Sequence, residues 1–145
     1  MPQTGERVDP FRSFNFLIEI EGIAQGSFTE CSGLGSTTES IEHRQGGEGN
    51  VRKLPGRTTY SDITLKWGST ASTELWDWRQ RIVDGNVDRQ NVSVVVHDMD
   101  RSTEVARWNV TGAWPSKWEL SGLNAKGNEI LIETLVLSHE GVVRA

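Results

Sequence analysis

The chain has 145 residues, of which 35% are hydrophobic, and this is enough for one domain with its own core. The net charge of −5 and the pI of about 5.2 argue against a bulk attraction to nucleic acid or to an anionic membrane surface. Cys31 is the only cysteine, which excludes an intrachain disulfide and a cysteine metal cluster, and no apolar run approaches the length of a membrane span.

Two β-strands are predicted near the N-terminus. Residues 1–11 contain two prolines and one glycine, and we expect them to form a flexible arm. Residues 14–21 (FNFLIEIE) alternate apolar and polar side chains, which is the period of a strand with one buried face. Residues 26–32 are predicted to form the return strand. The side chains of the first strand that we expect to face the core are Phe14, Phe16, Ile18 and Ile20.

The next segment, residues 33–67, is predicted to be a long β-hairpin with a projecting tip. Its strands are residues 36–44 and 58–67, and the second strand alternates sharply between apolar and polar side chains. Residues 45–57 between them hold four glycines and one proline. A connection of this length and composition is too long for a tight turn, so we expect a flexible tip.

The predicted tip is basic although the chain is acidic. Residues 44–57 carry four basic residues against one glutamate, a net charge of +3, which leaves −8 on the rest of the chain. Such a projection could be a solvated loop, or it could pair with another copy of the acidic body. In the first strand of the hairpin, Glu39 has the same parity as Ile41. We therefore expect the strand either to bulge at this position or to start later.

Residues 72–84 are predicted to form an α-helix that flanks the sheet. Gly85 follows it, at the position where a left-handed helix end favours glycine. Arg79 falls inside the apolar stripe, and we expect its side chain to snorkel or to pair with a carboxylate. The side chains that define the stripe are Leu75, Trp78 and Ile82.

Residues 92–98 and 104–114 are predicted to form a second hairpin with one polar face, because both segments alternate with a period of two. Pro115 is expected to end the second of these strands. Residues 128–139 are predicted to be the last strand. They are apolar on both faces, so we expect protein to cover both.

Neither a catalytic site nor a metal site emerges from the sequence. Asp98 and Asp100 follow His97, but a link between two strands commonly collects aspartates for turn formation. The glycines of the tip are not followed by the Gly-Lys-Ser/Thr of a phosphate loop. Cys31 has no histidine or other base in a motif relation to it. We therefore predict that the protein is not an enzyme and that it uses no cofactor and no metal.

Seven blocks of the sequence, in this order and over most of the chain, resemble the tail-tube proteins of contractile phage tails and related injection systems. Each block alone is a weak signal, and together they are specific. They are DPFRSFNFLIEIEG (9–22), FTECSGLG (28–35), VRKLPGRTTYSDITLKWG (51–68), LWDWRQRIVDG (75–85), AWP (113–115), GLNAKGNE (122–129) and ETLVLSHEG (133–141).

The resemblance implies one tail-tube domain over residues 1–145, of mainly β (α+β) class. Two packed antiparallel sheets would form a sandwich or partial barrel, with one flanking helix and a long projecting hairpin. Six protomers would join their strands edge to edge in a ring, and the rings would stack into a hollow tube. Strand edges invite pairing with another chain, and a closed ring removes them. Sheath contraction would push the tube through a target envelope.

The resemblance also implies partners and a location. The partners would be further copies of the chain, a sheath protein, a baseplate hub or spike, and tube-terminating proteins. DNA or effector cargo would pass through the lumen without specific binding, and no stable membrane insertion is expected. The protein would be made as a soluble protein in the bacterial cytoplasm and built into a phage tail or injection particle, which can be extracellular. The alternative is a monomeric β-sandwich module that binds carbohydrate or peptide through exposed tryptophans.

Two sets of residues are assigned to this function. The polar faces of the two hairpins would line the lumen, through Ser40, Glu42, Asp62, Thr64, Lys66, Ser93, Val95, His97, Arg107, Asn109 and Thr111. The hairpin tip would join one ring to the next, through Gln45, Gly46, Gly47, Glu48, Val51, Arg52, Lys53, Leu54 and Arg57.

Overall fold

The structure is a computed structural model that describes residues 9–13, 15–23, 27–44, 46–47 and 49–145. Over these residues the chain forms nine β-strands and one α-helix, and none of its helices is long and apolar enough to cross a membrane. The elements are β1 (Phe16–Ile20), β2 (Glu30–Ser32), β3 (Ser36–His43), β4 (Arg52–Tyr60), β5 (Ile63–Gly68), α1 (Glu74–Val83), β6 (Gln90–His97), β7 (Glu104–Leu120), β8 (Ile132–Ser138) and β9 (Gly141–Arg144).

Seven strands form one antiparallel sheet in the order β1-β6-β7-β8-β5-β2, with β9 beside β7. The long strand β7 divides this sheet into two halves. Its N-terminal part pairs with β6 and β9, and with β1 these strands make the β6 half. Its C-terminal part pairs with β8, and with β5 and β2 these strands make the β5 half. The remaining strands, β3 and β4, pair only with each other among the described elements.

One core fills the space between the two halves. The described sheet runs from β1 to β2 without closing into a barrel, and it folds over this core as a sandwich. The predicted mainly β sandwich with a flanking helix and a projecting hairpin is therefore confirmed. The β6 half contributes Ile18, Ile20, Val92, Val94 and Val110 to the core, and the β5 half contributes Ile63, Leu65, Trp67, Leu135 and Leu137.

The helix α1 covers the core with the predicted face. Leu75 and Trp78 are buried, and the indole N–H of Trp78 donates to the carbonyl oxygen of Asp88 at 2.7 Å. Arg79 is half-buried, and its Nη1 donates to the carbonyl oxygen of Pro115 at 3.2 Å. This backbone contact is neither of the two alternatives that the sequence suggested for Arg79.

The structure corrects two predicted strand ends. β7 continues past Pro115 to Leu120, because a register shift between Pro115 and Lys117 accommodates a residue that has no N–H to donate. The last long strand begins at Ile132, and residues 128–131 lie in the loop before it. Within one copy of the chain, the predicted cover of both faces of this segment is incomplete at Ile130, whose side chain is 76% exposed. Strand β9 was not predicted.

The long hairpin is also paired differently from the prediction. Residues 58–67 do not form one strand, because residues 61 and 62 lie outside any strand and separate β4 from β5. β4 pairs with β3, whereas β5 enters the large sheet between β2 and β8. The side chains differ accordingly between the two strands. Ile63, Leu65 and Trp67 of β5 are buried in the core, whereas the residues of β4 are mostly exposed.

The predictions for the N-terminal segment are only partly covered by the described residues. Residues 9–13 are exposed, and Arg144 lies 6.0 Å from the ring centre of Phe11. Residues 1–8 of the predicted arm lie outside the described residues, as does Phe14. The prediction that residues 26–32 return along the first strand is wrong. The last of these residues form β2, which pairs with β5 at the opposite end of the sheet from β1, and Gly26 lies outside the described residues.

Candidate assembly surfaces

The hairpin β3–β4 is a two-stranded ribbon whose described side chains are exposed, apart from the half-buried Gly56. Each strand has one paired edge and one edge that pairs with no other described strand. An isolated two-stranded hairpin is marginally stable in water. Its free N–H and C=O groups are a template for pairing with another chain.

The hairpin contains a β-bulge opposite Glu39, but the extra residue lies in β4 and not, as predicted, in the strand of Glu39, which starts at Ser36. Thr38 pairs with Thr58 and Ser40 with Pro55, so Glu39 alone stands opposite two residues of β4. One of these is Gly56, where a Cβ atom would lie 2.8 Å from Cδ1 of Ile41. Only a residue without a side chain leaves Ile41 in this position.

Beyond the bulge, Ile41 stands directly opposite Leu54 in the register. Their side chains are 49% and 47% exposed. The hairpin therefore presents a cross-strand apolar pair to solvent. In the next register position, Glu42 stands opposite Lys53.

The predicted tip is shorter than residues 45–57. Arg52, Lys53, Leu54 and Arg57 lie in the strand β4, because β3 has partners as far as His43. The connection between the strands holds three further residues of the predicted set, Gly46, Gly47 and Val51, and Gly47 has a φ of +89° that favours glycine. The other two members, Gln45 and Glu48, lie outside the described residues.

The base of the hairpin is fixed to the β5 half. Nε2 of His139 lies 2.8 Å from the carbonyl oxygen of Ser61, and the rings of Tyr60 and His139 are 5.8 Å apart. Asp62, which was predicted to line the lumen, accepts a hydrogen bond from the Ser138 hydroxyl at 3.2 Å. These contacts hold the two residues through which β4 leads into β5.

The outer face of the β6 half is polar and internally paired. The Ser93 hydroxyl donates to Oδ1 of Asn109 at 2.8 Å. The Arg107 guanidinium donates to Glu104 at 2.7 Å and to Glu19 at 3.0 Å. The hydrogen bond from Arg107 lowers the pKa of the Glu104 carboxyl, and the two carboxylates raise the pKa of Arg107.

Val95 lies on this face, but it does not present its side chain to solvent. It is 1% exposed, although its neighbours along the strand, Ser93 and His97, are only half-buried. The guanidinium of Arg107 reaches from β7 across β6 to Glu19 on β1, and its side chain therefore passes over Val95. The prediction that Val95 lines a lumen is corrected: it supports the arginine that covers it.

The predicted lumen set divides among separate surfaces. Thr64 and Lys66 alternate with the buried residues of β5, so they lie on the outer face of the β5 half, where Lys66 is 3.6 Å from Glu30. The core separates this face from the outer face of the β6 half. The members that do share the β6 half are Ser93, His97, Arg107, Asn109 and Thr111, while Ser40 and Glu42 lie on the hairpin.

Residues 121–131, here named the end loop, form an exposed surface that the sequence analysis missed. They connect β7 to β8 and carry Leu123 and Ile130, which are 78% and 76% exposed, next to Leu120 at the end of β7. The loop is closed at its base, where Ser121 N donates to the carbonyl oxygen of Ile132 at 2.9 Å. The available signal for an exposed contact surface was an apolar residue after each glycine of a polar segment, Leu123 after Gly122 and Ile130 after Gly127.

Four of the tryptophans make contacts within the fold, although Trp76 is 41% exposed. Trp67 and Trp78 are buried. Oε2 of Glu133 accepts a hydrogen bond from Nε1 of Trp67, and Oε1 accepts one from Nε1 of Trp118, both at 3.1 Å. The ring of Trp76, on the helix, packs edge-to-face against Trp118 at 4.7 Å. These contacts join the helix to the β5 half.

The described residues contain no group of three or more histidines, cysteines, aspartates or glutamates that could hold a metal ion. The aspartates after β6 accept hydrogen bonds within the turn that follows this strand. Asp100 accepts hydrogen bonds from the backbone N–H groups of Ser102 and Thr103, which lowers its pKa to about 2. Burial and the nearby Glu30 carboxylate raise the pKa of the Cys31 thiol to about 11, so the thiol is protonated at neutral pH.

Comparison with known proteins identifies the family to which the chain is similar. The model of the T4-like virus tail tube protein gp19 family matches residues 12–143. No curated protein matches the chain.

Three similar solved structures come from contractile particles. The sheath–tube complex of the PVC extracellular contractile injection system in its extended state contains a chain that is 26% identical, with a TM-score of 0.85 over 94% of this chain and 91% of that one. The six-fold symmetrised baseplate of the anti-feeding prophage contains one that is 25% identical, with a TM-score of 0.85 over 96% and 97%. The tube-terminating cap of the anti-feeding prophage contains one that is 26% identical, with a TM-score of 0.87 over 100% and 99%.

Proposed function

The chain belongs to the T4-like virus tail tube protein family, and we propose that it is the structural subunit of the inner tube of a contractile injection system or contractile phage tail. The observation that carries this function is the family match over residues 12–143, together with the likeness of the whole fold to chains of contractile particles. The comparisons give no support to the alternative of a monomeric binding module.

Six copies join edge to edge into a ring. The strands at the ends of the sheet path, β1 and β2, and the outer edges of β3 and β4 leave backbone groups unpaired by any described strand. Pairing them with a second copy satisfies these groups, and closing the ring leaves no edge exposed. The six-fold symmetry of the baseplate that contains a similar chain supports the number six.

The lumen wall is formed by the outer face of the β6 half and by the hairpin. The outer face of the β6 half holds an ion-pair network within the protomer, in which Arg107 contacts Glu19 and Glu104. A wall of hydroxyls, amides and paired charges is hydrophilic and offers few free charges to hold a passing molecule. DNA or effector cargo therefore moves through it without specific binding.

The hairpin joins each ring to the next. Ring stacking is a head-to-tail contact that repeats without closing, and it needs an element that reaches beyond the body of the subunit. One surface ion pair contributes at most about 1 kcal/mol, so a single docked hairpin would hold two rings together only weakly. Six hairpins that dock on one rigid ring act as a multivalent joint, so their weak contacts add together.

The other partners follow from the same role. The tube lies inside a sheath, begins at a baseplate hub or spike and ends at a terminating protein, and these are the settings in which the similar chains occur. Sheath contraction pushes the tube through the target envelope. The subunit is made as a soluble protein in the bacterial cytoplasm, acts without catalysis, and leaves the cell as part of a particle.

Electron microscopy of the purified protein tests this function. We expect hollow tubes built of six-fold rings. A single monomeric species at every concentration in sedimentation velocity would contradict the proposal, and it is the behaviour that a binding module would show.

A variant with a shortened hairpin provides a second test, of the role of the hairpin in joining rings. Ser40 and Pro55 stand opposite each other, so a short Gly-Ser link can replace residues 41–54 without opening the base of the hairpin. We expect a folded subunit that does not elongate into tubes, while normal long tubes from this variant would refute the role of the hairpin.

A further inference from the structure

The hairpin and the end loop lie at opposite ends of the β5 half. The chain leaves the hairpin at Tyr60 and enters β5 at Ile63, which pairs with Leu137 of β8. At the other end of β5, Gly68 pairs with Ile132, directly after the end loop. Five residues along a strand span roughly 17 Å. One copy therefore presents the hairpin at one end and the end loop at the other.

Both ends expose apolar side chains. The hairpin carries the pair Ile41 and Leu54, each about half exposed, and the end loop carries Leu123 and Ile130, each more than three-quarters exposed. Exposed apolar residues that occur singly are common on protein surfaces. Clusters of them mark contact sites, and here there is one at each end of the same half-sheet.

One strand of the hairpin is basic and faces a complementary charge at the other end. β4 contains Arg52, Lys53 and Arg57, whereas the acidic residues of the hairpin strands, Glu39 and Glu42, lie on β3. At the other end, Ser69 N donates to the carbonyl oxygen of Leu131, so the chain enters the helix beside the end loop. The first turn of that helix is acidic, with Glu74 and Asp77. A basic strand brought to this end therefore meets carboxylates.

We propose that the end loop of one copy receives the hairpin of a second copy, with Ile41 and Leu54 of the hairpin seated on Leu123 and Ile130. This rests on the proposed function and identifies the surface at which rings join. The contact is heterologous, because hairpin and end loop are different surfaces at opposite ends, and it therefore propagates from copy to copy. β4 lies toward the first turn of α1, where its basic side chains face the acidic ones.

Chemical cross-linking of assembled protein tests the contact. The variant carries Leu54→Cys and Leu123→Cys in one chain and is treated with a short bismaleimide. Cys31 gives little background, because its raised pKa keeps the thiol protonated and poorly reactive. We expect a ladder of covalent multimers on a denaturing gel, since each chain is linked to the copy above it and to the copy below.

The matched control carries Leu54→Cys and Val83→Cys. Val83 is an apolar residue of similar exposure, 58%, at the end of α1. It lies one turn beyond Arg79, whose side chain contacts Pro115, so it is well away from the end loop. This control should give no ladder.

A substitution provides an independent measurement. Leu123→Asp should leave the melting temperature of the subunit unchanged, because the side chain is 78% exposed. Losing one buried leucine per contact should raise the protein concentration at which tubes form by about tenfold or more. Val83→Asp should form tubes at the wild-type concentration.

The outcomes separate this inference from the proposed function. Tubes of wild-type protein, with a ladder from the end-loop variant alone, support both. Wild-type tubes in which the end-loop variant gives no ladder, or in which Leu123→Asp assembles normally, overturn the end loop as the receiving surface and leave the tube subunit standing. Absence of wild-type tubes at every concentration overturns the proposed function, and the inference with it.

Discussion

Replacement of Glu133 tests whether one carboxylate positions two tryptophans in the β5 half. Glu133 is 9% exposed, and its two oxygens accept hydrogen bonds from the indole groups of Trp67 and Trp118. A glutamine keeps the shape but offers one acceptor oxygen, so one indole N–H would face an amide N–H. A buried donor without a partner costs about 1–3 kcal/mol. We expect Glu133→Gln to lower the free energy of unfolding by about this amount.

The assay is denaturation of the subunit at a concentration where it does not assemble. For a domain of this size the expected loss corresponds to a fall in melting temperature of about 2–12 °C. The same substitution is then made in a Trp118→Phe background, which has no second indole N–H to satisfy. There the glutamine can turn its oxygen toward Trp67, so its cost should be smaller by at least about 0.5 kcal/mol. Additive effects of the two substitutions would refute the shared-acceptor argument.

Three further predictions concern single sites. Trp78→Ala should lower the free energy of unfolding by about 3–5 kcal/mol in urea, because the side chain is fully buried, and an unchanged midpoint would be evidence against the packing of α1. Val94→Asp and Val95→Asp should both destabilise the subunit, because each places a carboxylate at a buried position. Val95→Asp should destabilise it less, because Arg107 stands opposite Val95 and can pair with the new carboxylate. Equal falls in the melting temperature of the two variants would show that Arg107 does not stabilise the new carboxylate. Folding lowers the pKa of Asp100, so its carboxylate contributes to the free energy of unfolding above pH 3.8, and this contribution is lost as the pH falls toward about 2. Asp100→Ala should remove the contribution. A stability difference between wild type and variant that stays constant between these pH values would contradict the prediction.

Local patterns in the sequence predicted the local structure well. Alternation with a period of two located the strands that contain Ile18, Leu65 and Val94, and the spacing of Leu75 and Trp78 located the helix. These features depend on the contacts of a residue with its near neighbours, and the sequence states those neighbours directly.

Pairing between distant strands could not be predicted in the same way. Alternation shows which side of its own strand a residue occupies, but it does not show which half of the sheet that strand joins. Thr64 and Arg107 were therefore assigned to one lumen wall, although they lie on opposite outer faces. The burial of Val95 depends on a side chain that arrives from another strand, and the path of β7 through Pro115 depends on a bulge. Such contacts are determined by the pairing register between distant strands, which alternation within one strand does not reveal.

The pairing order of the large sheet also determines when the chain can fold during synthesis. β1 finds its partner only in β6, and β5 is flanked on one side by β8, which lies about seventy residues further along the chain. A chain that stops before Ile132 therefore leaves the apolar side chains of β5 without cover, and it is prone to aggregate. The strand edges of the hairpin, in contrast, are complete as soon as Tyr60 has been made. What limits premature association through those edges is the marginal stability of an isolated two-stranded hairpin, because the body to which it is anchored exists only once nearly all of the subunit has been synthesised.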